Sequence, residues 1–359
     1  MTVYSQYASQ AADWRGQLRK NSQRTTMVIF IFLLLYVFVG LLIDLFFHHT
    51  GMVQLAQQQY PTQAYVPLGQ VFIDLVTFKI IPWATLIMLA VAVVSLLITY
   101  SLYDRLMLMG TEYVEITEQT TDYDGKQLYH IVEEMKVAAG MRYMPKVFII
   151  EADYMNAFAS GYSEKSAMVA ITRGLMKKLD RAELQAVMAH ELSHIRHGDI
   201  KLTLTASVLS NLMLMAIDML FYGVLFGGGR RGNDREGGAN ILVLVIVVLR
   251  FILPIITVIL MLYLSRTREY MADAGSVELM RDNDPMVRAL IKIDQDHQQN
   301  AMRYQAQYTS TPHEAVRRES YIFDPTRAGF KGAGGLNDFF STHPSMKKRL
   351  AALGVKFKQ

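Results

Sequence analysis

Apolar residues are concentrated in four long blocks of the chain. The blocks are residues 27–47, 80–103, 203–226 and 241–264. As a helix, each block is long enough to cross the hydrocarbon core of a bilayer, which is about 30 Å thick. The first block carries one charge, Asp44, and the second carries none. The third is more polar and contains Asp218, and the fourth contains Arg250. The pattern predicts four transmembrane helices, the last two either crossing fully or only partly embedded.

Two opposite charges lie at matching depth in the last two blocks. Asp218 is 15 residues beyond Thr203, and Arg250 is 14 residues before Leu264. At about 1.5 Å per residue, each charge lies about 20 Å along its helix. Because isolated charges in a bilayer are costly, we expect an antiparallel hairpin to pair Asp218 with Arg250. The alternative is that they face a water-filled cavity.

Basic residues beside the blocks predict the orientation, because Lys and Arg favour the cytoplasmic side. Those before the first block are Arg15, Arg19, Lys20 and Arg24. They predict that the 1–26 segment lies inside. The 48–79 loop has a single Lys and is therefore predicted to lie outside. The 227–240 loop conflicts with the rule, since it carries three Arg on the outer side; its glycines favour a flexible linker. An even number of crossings places residues 190–202 and 265–280 on one side.

The composition agrees with a membrane protein and narrows its chemistry. Of 359 residues, 52% are hydrophobic and only 19% are charged, which is too apolar for an ordinary soluble protein. The net charge is only +4, and no basic stripe with interleaved aromatics predicts a nucleic-acid partner. The absence of cysteine excludes disulfides, thiolate metal ligands and a cysteine nucleophile.

The polar region 104–202 shows both helix and strand patterns. Residues 123–140 have the apolar periodicity of an amphipathic helix. Short apolar runs predict three strands, at 146–151, 156–161 and 167–172. The region is therefore expected to be a mainly helical α+β domain with a small sheet.

The motif HELSH lies on a predicted helix that begins at Arg181, after the capping-box pair Asp180 and Glu183. His190 and His194 are four residues apart, so they share one helix face and both imidazoles can reach one metal ion. A pair of imidazoles suits zinc. Glu191 beside them is close enough to contact a water molecule on the metal. Two surface histidines on a polar helix are the alternative.

A hydrolytic zinc site needs a third protein ligand and one open position. The extended metzincin pattern fails, because His197 and Ile200 stand where it requires Gly and His; His197 is expected near the ligands or exposed. In SRTREYMADAG (265–275), Glu269 and Asp273 share one helix face. Glu269 can complete the site, and Asp273 can accept a hydrogen bond from the far nitrogen of a ligating histidine. A solvated charge cluster is the alternative.

HELSHIRHGD, SRTREYMADAG and STHPSMKKRLAAL (341–353) resemble the HtpX-like family of integral-membrane zinc metallopeptidases over most of residues 104–353. The resemblance implies a zincin-like fold, one zinc ion per subunit, a bacterial inner membrane and a cytoplasm-facing site. The implied site residues are the ligands His190, His194 and Glu269, with Glu191 as catalytic acid/base. Residues 296–335 look lengthened relative to the family, which leaves regulation and substrate choice open.

Three further residues are candidates for the site. His343 lies in the family-like STHP run and could stabilise the oxyanion; a helix cap or packing is the alternative. Arg349 could pair with a site carboxylate or bind substrate, or lie on a solvated helix face. Asn156 begins a predicted strand whose edge could bind a substrate peptide; a turn or capping role is equally compatible.

The predicted function is a membrane-bound zinc endopeptidase, and the family implies quality control of misfolded or damaged membrane proteins. A narrow-specificity CAAX-type processing protease is an alternative, although such proteases look longer with more spans. A non-catalytic metal-binding scaffold is another, although Glu191 is present. The predicted organisation begins with a cytoplasmic segment (1–26) and two spans (27–47 and 80–103) joined by an external loop (48–79). A catalytic region (104–202) follows. Two further spans (203–226 and 241–264), joined by the 227–240 loop, lead to a second catalytic region (265–359).

Overall fold

In this computed structural model, the described residues are 14–59, 66–108, 112–161, 163–226, 237–310, 320–323 and 343–356. They form two compact units. The first, which we call the catalytic unit, comprises the described parts of Met1–Thr26, Thr99–Thr203 and Leu262–Gln359. The second, which we call the membrane unit, comprises those of Met27–Ile98 and Leu204–Met261.

The described residues form a mainly helical α+β fold, as predicted. The helices are α1 (Trp14–Gln59), α2 (Leu68–Val76), α3 (Trp83–Leu108), α4 (Tyr123–Ala138), α5 (Arg173–Lys178), α6 (Arg181–His197), α7 (Asp199–Phe226), α8 (Gly237–Met280), α9 (Asp284–Gln299), α10 (Ala301–Ser310) and α11 (Met346–Ala352). The strands are β1 (Tyr113–Ile116), β2 (Lys146–Ile150), β3 (Ala157–Ser160) and β4 (Met168–Thr172). The predicted α4, β2, β3 and β4 are confirmed to within two residues at each end, whereas β1 was not predicted.

Four helices of the described chain are long and apolar enough to cross a membrane, namely α1, α3, α7 and α8. α1, α7 and α8 each contain a predicted block, and α3 covers all but the first three residues of the 80–103 block, so the prediction of four long apolar helices is confirmed. Some of their apolar side chains pack inside the membrane unit, as Val39 and Ile246 do. Others, such as Phe30, Leu97 and Phe251, remain exposed. An exposed apolar belt of this extent suits contact with lipid rather than water.

The charges within the membrane unit have polar partners. Asp44 accepts hydrogen bonds from the backbone N–H groups of Ala84 and Thr85, at 2.8 and 2.9 Å, and so caps the first turn of α3. Arg250 forms an ion pair with Asp218, as predicted from their equal depth. Pairing removes most of the penalty for placing these groups among apolar helices.

The 48–79 segment differs from the expected loop, because its described residues include the end of α1 and all of α2. Val71 and Leu75 of α2 are almost fully buried in the core of the membrane unit. They lie four residues apart, which places both on one helix face, a local signal that the charge-based prediction did not use. In the 227–240 loop, residues 227–236 lie outside the described part, and 237–240 begin α8.

The sheet of the catalytic unit has the strand order β1-β2-β4-β3 within the described residues. β2 and β4 are parallel, and the two outer strands pair antiparallel to them. Both faces are covered at β2, β3 and β4, which explains why these strands are mostly apolar, whereas β1 is largely exposed. One face packs with α4, α6 and α9 in the main core. The other face forms a smaller aromatic core that includes Tyr154, Phe158 and Tyr321.

Candidate metal centre

Helix α6, which carries HELSH, is fixed at both ends. Asp180 and Glu183 form the predicted capping box, each side chain accepting the other's backbone N–H at 2.9 Å. Gly198 ends the helix with φ +66°, a left-handed conformation that glycine adopts at little cost. The middle of α6 packs against α4, α9 and β3. The HELSH residues therefore sit on a rigid, buried helix.

Three potential ligands converge where α6 meets α8. The Nε2 atoms of His190 and His194 lie 3.2 Å apart. Glu269 on α8 reaches them with carboxylate oxygens 3.9 Å from the first Nε2 and 3.7 Å from the second. One ligand atom from each residue lies within 4.8 Å of the others, so the three could hold a metal ion. Two imidazoles and a carboxylate match the donor set of catalytic metal sites that keep one position open.

Glu191 is buried next to this cluster, with about 1% of its surface exposed. Burial and the neighbouring carboxylate of Glu269 raise the pKa of Glu191 well above its usual range. Burial, together with the charge of His190, lowers the pKa of His194, which keeps that imidazole neutral and able to bind a metal. The site therefore combines a neutral nitrogen donor, His194, with a carboxyl group that can exchange a proton.

Each histidine of the cluster contacts a buried carboxylate through its far nitrogen. His190 Nδ1 lies 3.1 Å from Asp273 Oδ1, the partner predicted from sequence. His194 Nδ1 lies 2.7 Å from Asp199 Oδ2, a partner that was not predicted. Such contacts fix the ring orientation and leave Nε2 free to face a metal.

Arg349 is buried, so the solvated-face alternative is wrong. Its guanidinium donates to both carboxylate oxygens of Asp273, at 2.9 and 2.6 Å, and Nη1 lies 3.3 Å from Glu269. Burial opposes its charge, but these two carboxylates raise the pKa of Arg349 above its usual value. His343 is also buried, with Nδ1 3.5 Å from Glu269. Both side chains from the STHPSMKKRL segment thus reach the cluster.

Asn156 is fully buried, and its side chain forms hydrogen bonds with another segment of the chain. Its side chain donates to the carbonyl of Phe323 at 2.9 Å and accepts from the N–H of Phe323 at 3.3 Å. Ile322 N–H also donates to the Ala157 carbonyl on the edge of β3, at 2.9 Å. Residues 320–323 thus occupy the start of the edge that was expected to bind a peptide, and Asn156 anchors them. Of the 296–335 stretch, 311–319 and 324–335 lie outside the described part.

The sequence profile of Peptidase family M48 matches residues 123–355. A Protease HtpX homolog from Helicobacter pylori is 36% identical over 337 residues, which are 94% of this chain and 96% of the relative. The chain belongs to peptidase family M48. Another Protease HtpX homolog, from Streptococcus uberis, is 38% identical over 243 residues, 67% of this chain and 75% of the relative. Among solved structures, S. mikatae Ste24p is similar at a TM-score of 0.48 and 20% identity, covering 92% of this chain and 65% of that chain.

Membership confirms the resemblance to the HtpX-like family, and this M48 protein is an integral-membrane metalloprotease. The matched region contains all the residues of the metal cluster and the buried charges around it. Sequence reasoning missed Asp199 and its ion-pair partner Arg268. One signal was available: Asp199 directly follows Gly198, the glycine that ends α6 a few residues after His194.

Proposed function

We propose that this M48 protease is a zinc endopeptidase that cleaves misfolded or damaged membrane proteins. The observation that carries the proposal is the convergence of His190, His194 and Glu269 on one point, with Glu191 buried beside them. We further infer a bacterial inner membrane with the site facing the cytoplasm. The basic residues before the first span and the bacterial relatives support that location.

The spacing of the donors supports zinc. In a tetrahedral zinc site with bonds of about 2.0–2.1 Å, neighbouring ligand atoms lie about 3.3–3.4 Å apart. The 3.2 Å between the Nε2 atoms of His190 and His194 fits this spacing. The carboxylate oxygens of Glu269 lie 3.7 Å from His194 Nε2 and 3.9 Å from His190 Nε2, which is slightly longer than this spacing. We therefore assign these three side chains as the ligands.

The roles of the side chains follow from their positions. When bound, zinc would supply a Lewis acid that polarises the scissile carbonyl and makes water more acidic. Glu191 takes a proton from the attacking water and passes it to the leaving amine. His343, buried beside Glu269, stabilises the oxyanion by donating a hydrogen bond. Arg349 holds Asp273, which orients His190.

The edge of β3 is the proposed docking position for an extended substrate. Backbone hydrogen bonds to a strand edge tolerate many side chains, as a protease with varied substrates requires. Because Ile322 already pairs with Ala157, we propose that the substrate lies beyond that pair along the edge. Asn156 supports this edge through Phe323 rather than by touching substrate.

Purified protein in detergent allows a direct test with casein and with a membrane-protein substrate. We expect Glu191→Gln, which keeps the shape of the side chain, to abolish cleavage while retaining one zinc ion per chain. Glu269→Gln should lower the zinc content, and chelation of the wild type should stop cleavage until zinc is returned. Persistent cleavage by Glu191→Gln would refute the mechanism, and unchanged zinc content in Glu269→Gln would refute the ligand assignment.

The quality-control role needs a separate comparison. One membrane protein is offered in its native form and as a destabilised variant with the same cleavage sites, alongside a prenylated CAAX peptide. Faster cleavage of the destabilised form is the expected result. Equal rates for the two forms would refute quality control, and selective processing of the CAAX peptide would favour the narrow-specificity alternative.

A further inference from the structure

The two histidines of the cluster are held by the same kind of contacts, a carboxylate and behind it a guanidinium. The far nitrogen of His190 contacts Asp273, and Arg349 binds that carboxylate through two nitrogens. The far nitrogen of His194 contacts Asp199 at 2.7 Å, and Arg268 forms an ion pair with the other oxygen of that carboxylate. Each imidazole is therefore backed by a buried carboxylate, and each carboxylate by a buried guanidinium.

The contact between Asp199 and His194 decides which ring nitrogen carries the proton. A neutral imidazole has one N–H, and the other nitrogen has a lone pair. A carboxylate can only accept at Nδ1, so the N–H is held there and the lone pair remains at Nε2, on the side of Glu269. The same contact restricts rotation of the ring. Asp199 therefore prepares His194 to bind a metal before the metal arrives.

Arg268 holds Asp199 in place and links the helices around the site. Arg268 immediately precedes the ligand Glu269 on α8. The same helix therefore supplies one metal ligand and the guanidinium that binds Asp199, the carboxylate in contact with His194. Its guanidinium also donates to the His197 carbonyl in the last turn of α6, at 3.1 Å. Asp199 and Arg268 are each about 4% exposed, and a buried charge that loses its partner is strongly unfavourable. The pair is thus fixed in position.

We propose that Asp199, held by Arg268, is a positioning residue that sets the metal affinity of the site through His194. The inference rests on the proposed metal site. Partners in this position change metal affinity by about 10- to 100-fold when they are replaced. A purely structural role for Asp199, as an acidic residue in the first turn of α7, would change stability without changing metal affinity.

The test is a zinc competition against a chromogenic chelator with the full-length protein in detergent. We expect Asp199→Ala to bind zinc about 10- to 100-fold more weakly than the wild type. Asp199→Asn should lose part of this affinity, because its neutral amide oxygen is a weaker acceptor for Nδ1–H than a carboxylate. Asp284→Ala is the matched control, since Asp284 also begins a helix, α9, and its zinc affinity should equal that of the wild type. Cobalt substitution adds a spectroscopic readout, and Asp199→Ala should shift the visible absorption bands.

A His194→Ala background separates the two proposals. If Asp199 acts through His194, then Asp199→Ala should cause no further loss of affinity in that background. Wild-type affinity in a folded Asp199→Ala or Asp199→Asn protein would overturn the positioning role. Should Asp199→Ala fail to fold, the isosteric Asp199→Asn decides, and an affinity and cobalt spectrum equal to those of the wild type would overturn it. Wild-type affinity in His194→Ala would instead overturn the proposed zinc site itself.

Discussion

Replacement of Gly275 by alanine tests whether close packing of α8 on α6 builds the metal cluster. Gly275 lies on α8, six residues after Glu269, and faces Ser193 of the HELSH helix. A Cβ atom on Gly275 would lie 2.8 Å from the Cβ of Ser193, and nearer still to its hydroxyl oxygen. Ordinary contact begins at 3.4 Å, so the helices must separate locally by at least about 0.6 Å.

The size of the effect follows from that separation. Overpacking in a core costs about 1–3 kcal/mol, and the better helix propensity of alanine returns about 1 kcal/mol. Metal–ligand distances tolerate only about 0.2 Å, so zinc binding should weaken as well as folding. We expect a zinc affinity at least about tenfold lower, which corresponds to about 1.4 kcal/mol. The free energy of unfolding without metal should fall by no more than about 2 kcal/mol.

Chelator competition measures the affinity, and chemical denaturation of the metal-free protein measures the stability. Gly223→Ala on α7 is the matched control, because a Cβ there would have no neighbour within 4 Å among the described residues; its zinc affinity should not change. Adding Ser193→Gly to Gly275→Ala removes the clashing atoms and should restore binding. Wild-type zinc affinity in Gly275→Ala would refute the reasoning, as would a double variant no better than the single one.

Three further predictions concern the catalytic unit. Asp180→Ala removes the cap of α6 and should lower the free energy of unfolding by about 0.5–2 kcal/mol, measured by denaturation; no loss would contradict the capping argument. Arg349→Met leaves Asp273 buried without its cation and should lower the free energy of unfolding by about 3–5 kcal/mol. Adding Asp273→Leu should restore part of that loss. Purely additive losses in the double variant would argue against the pair. Burial lowers the pKa of His297 from 6.5 to about 4. Between these pH values the folded state therefore binds fewer protons than the unfolded state. The free energy of unfolding should fall by up to about 3 kcal/mol as the pH drops from 6.5 to 4. His297→Gln should show a shallower pH dependence, and equal slopes would contradict this assignment.

Local patterns were sufficient for the four long apolar helices, for most elements around the site and for the residues at its centre, although they missed β1 and α2. The capping box at Asp180 and the four-residue spacing of His190 and His194 depend only on helix geometry, which repeats every 3.6 residues. The transmembrane helices follow from block length against bilayer thickness. The approach of Glu269 could be predicted because the expected even number of crossings would return α8 to the side where α6 ends.

Contacts between distant parts of the chain required the tertiary structure. The sequence position of Arg349 was compatible both with a solvated helix face and with the site. Only the packing of the folded chain shows that Arg349 binds Asp273, 76 residues earlier. Asn156 suggested a substrate contact, yet Phe323, 167 residues later, takes its hydrogen bonds. The sequence by itself determined which residues could bind a metal, because their chemistry and helical spacing are local. The tertiary structure alone decided which buried charges hold them, because a side chain's partner depends on where separate helices cross.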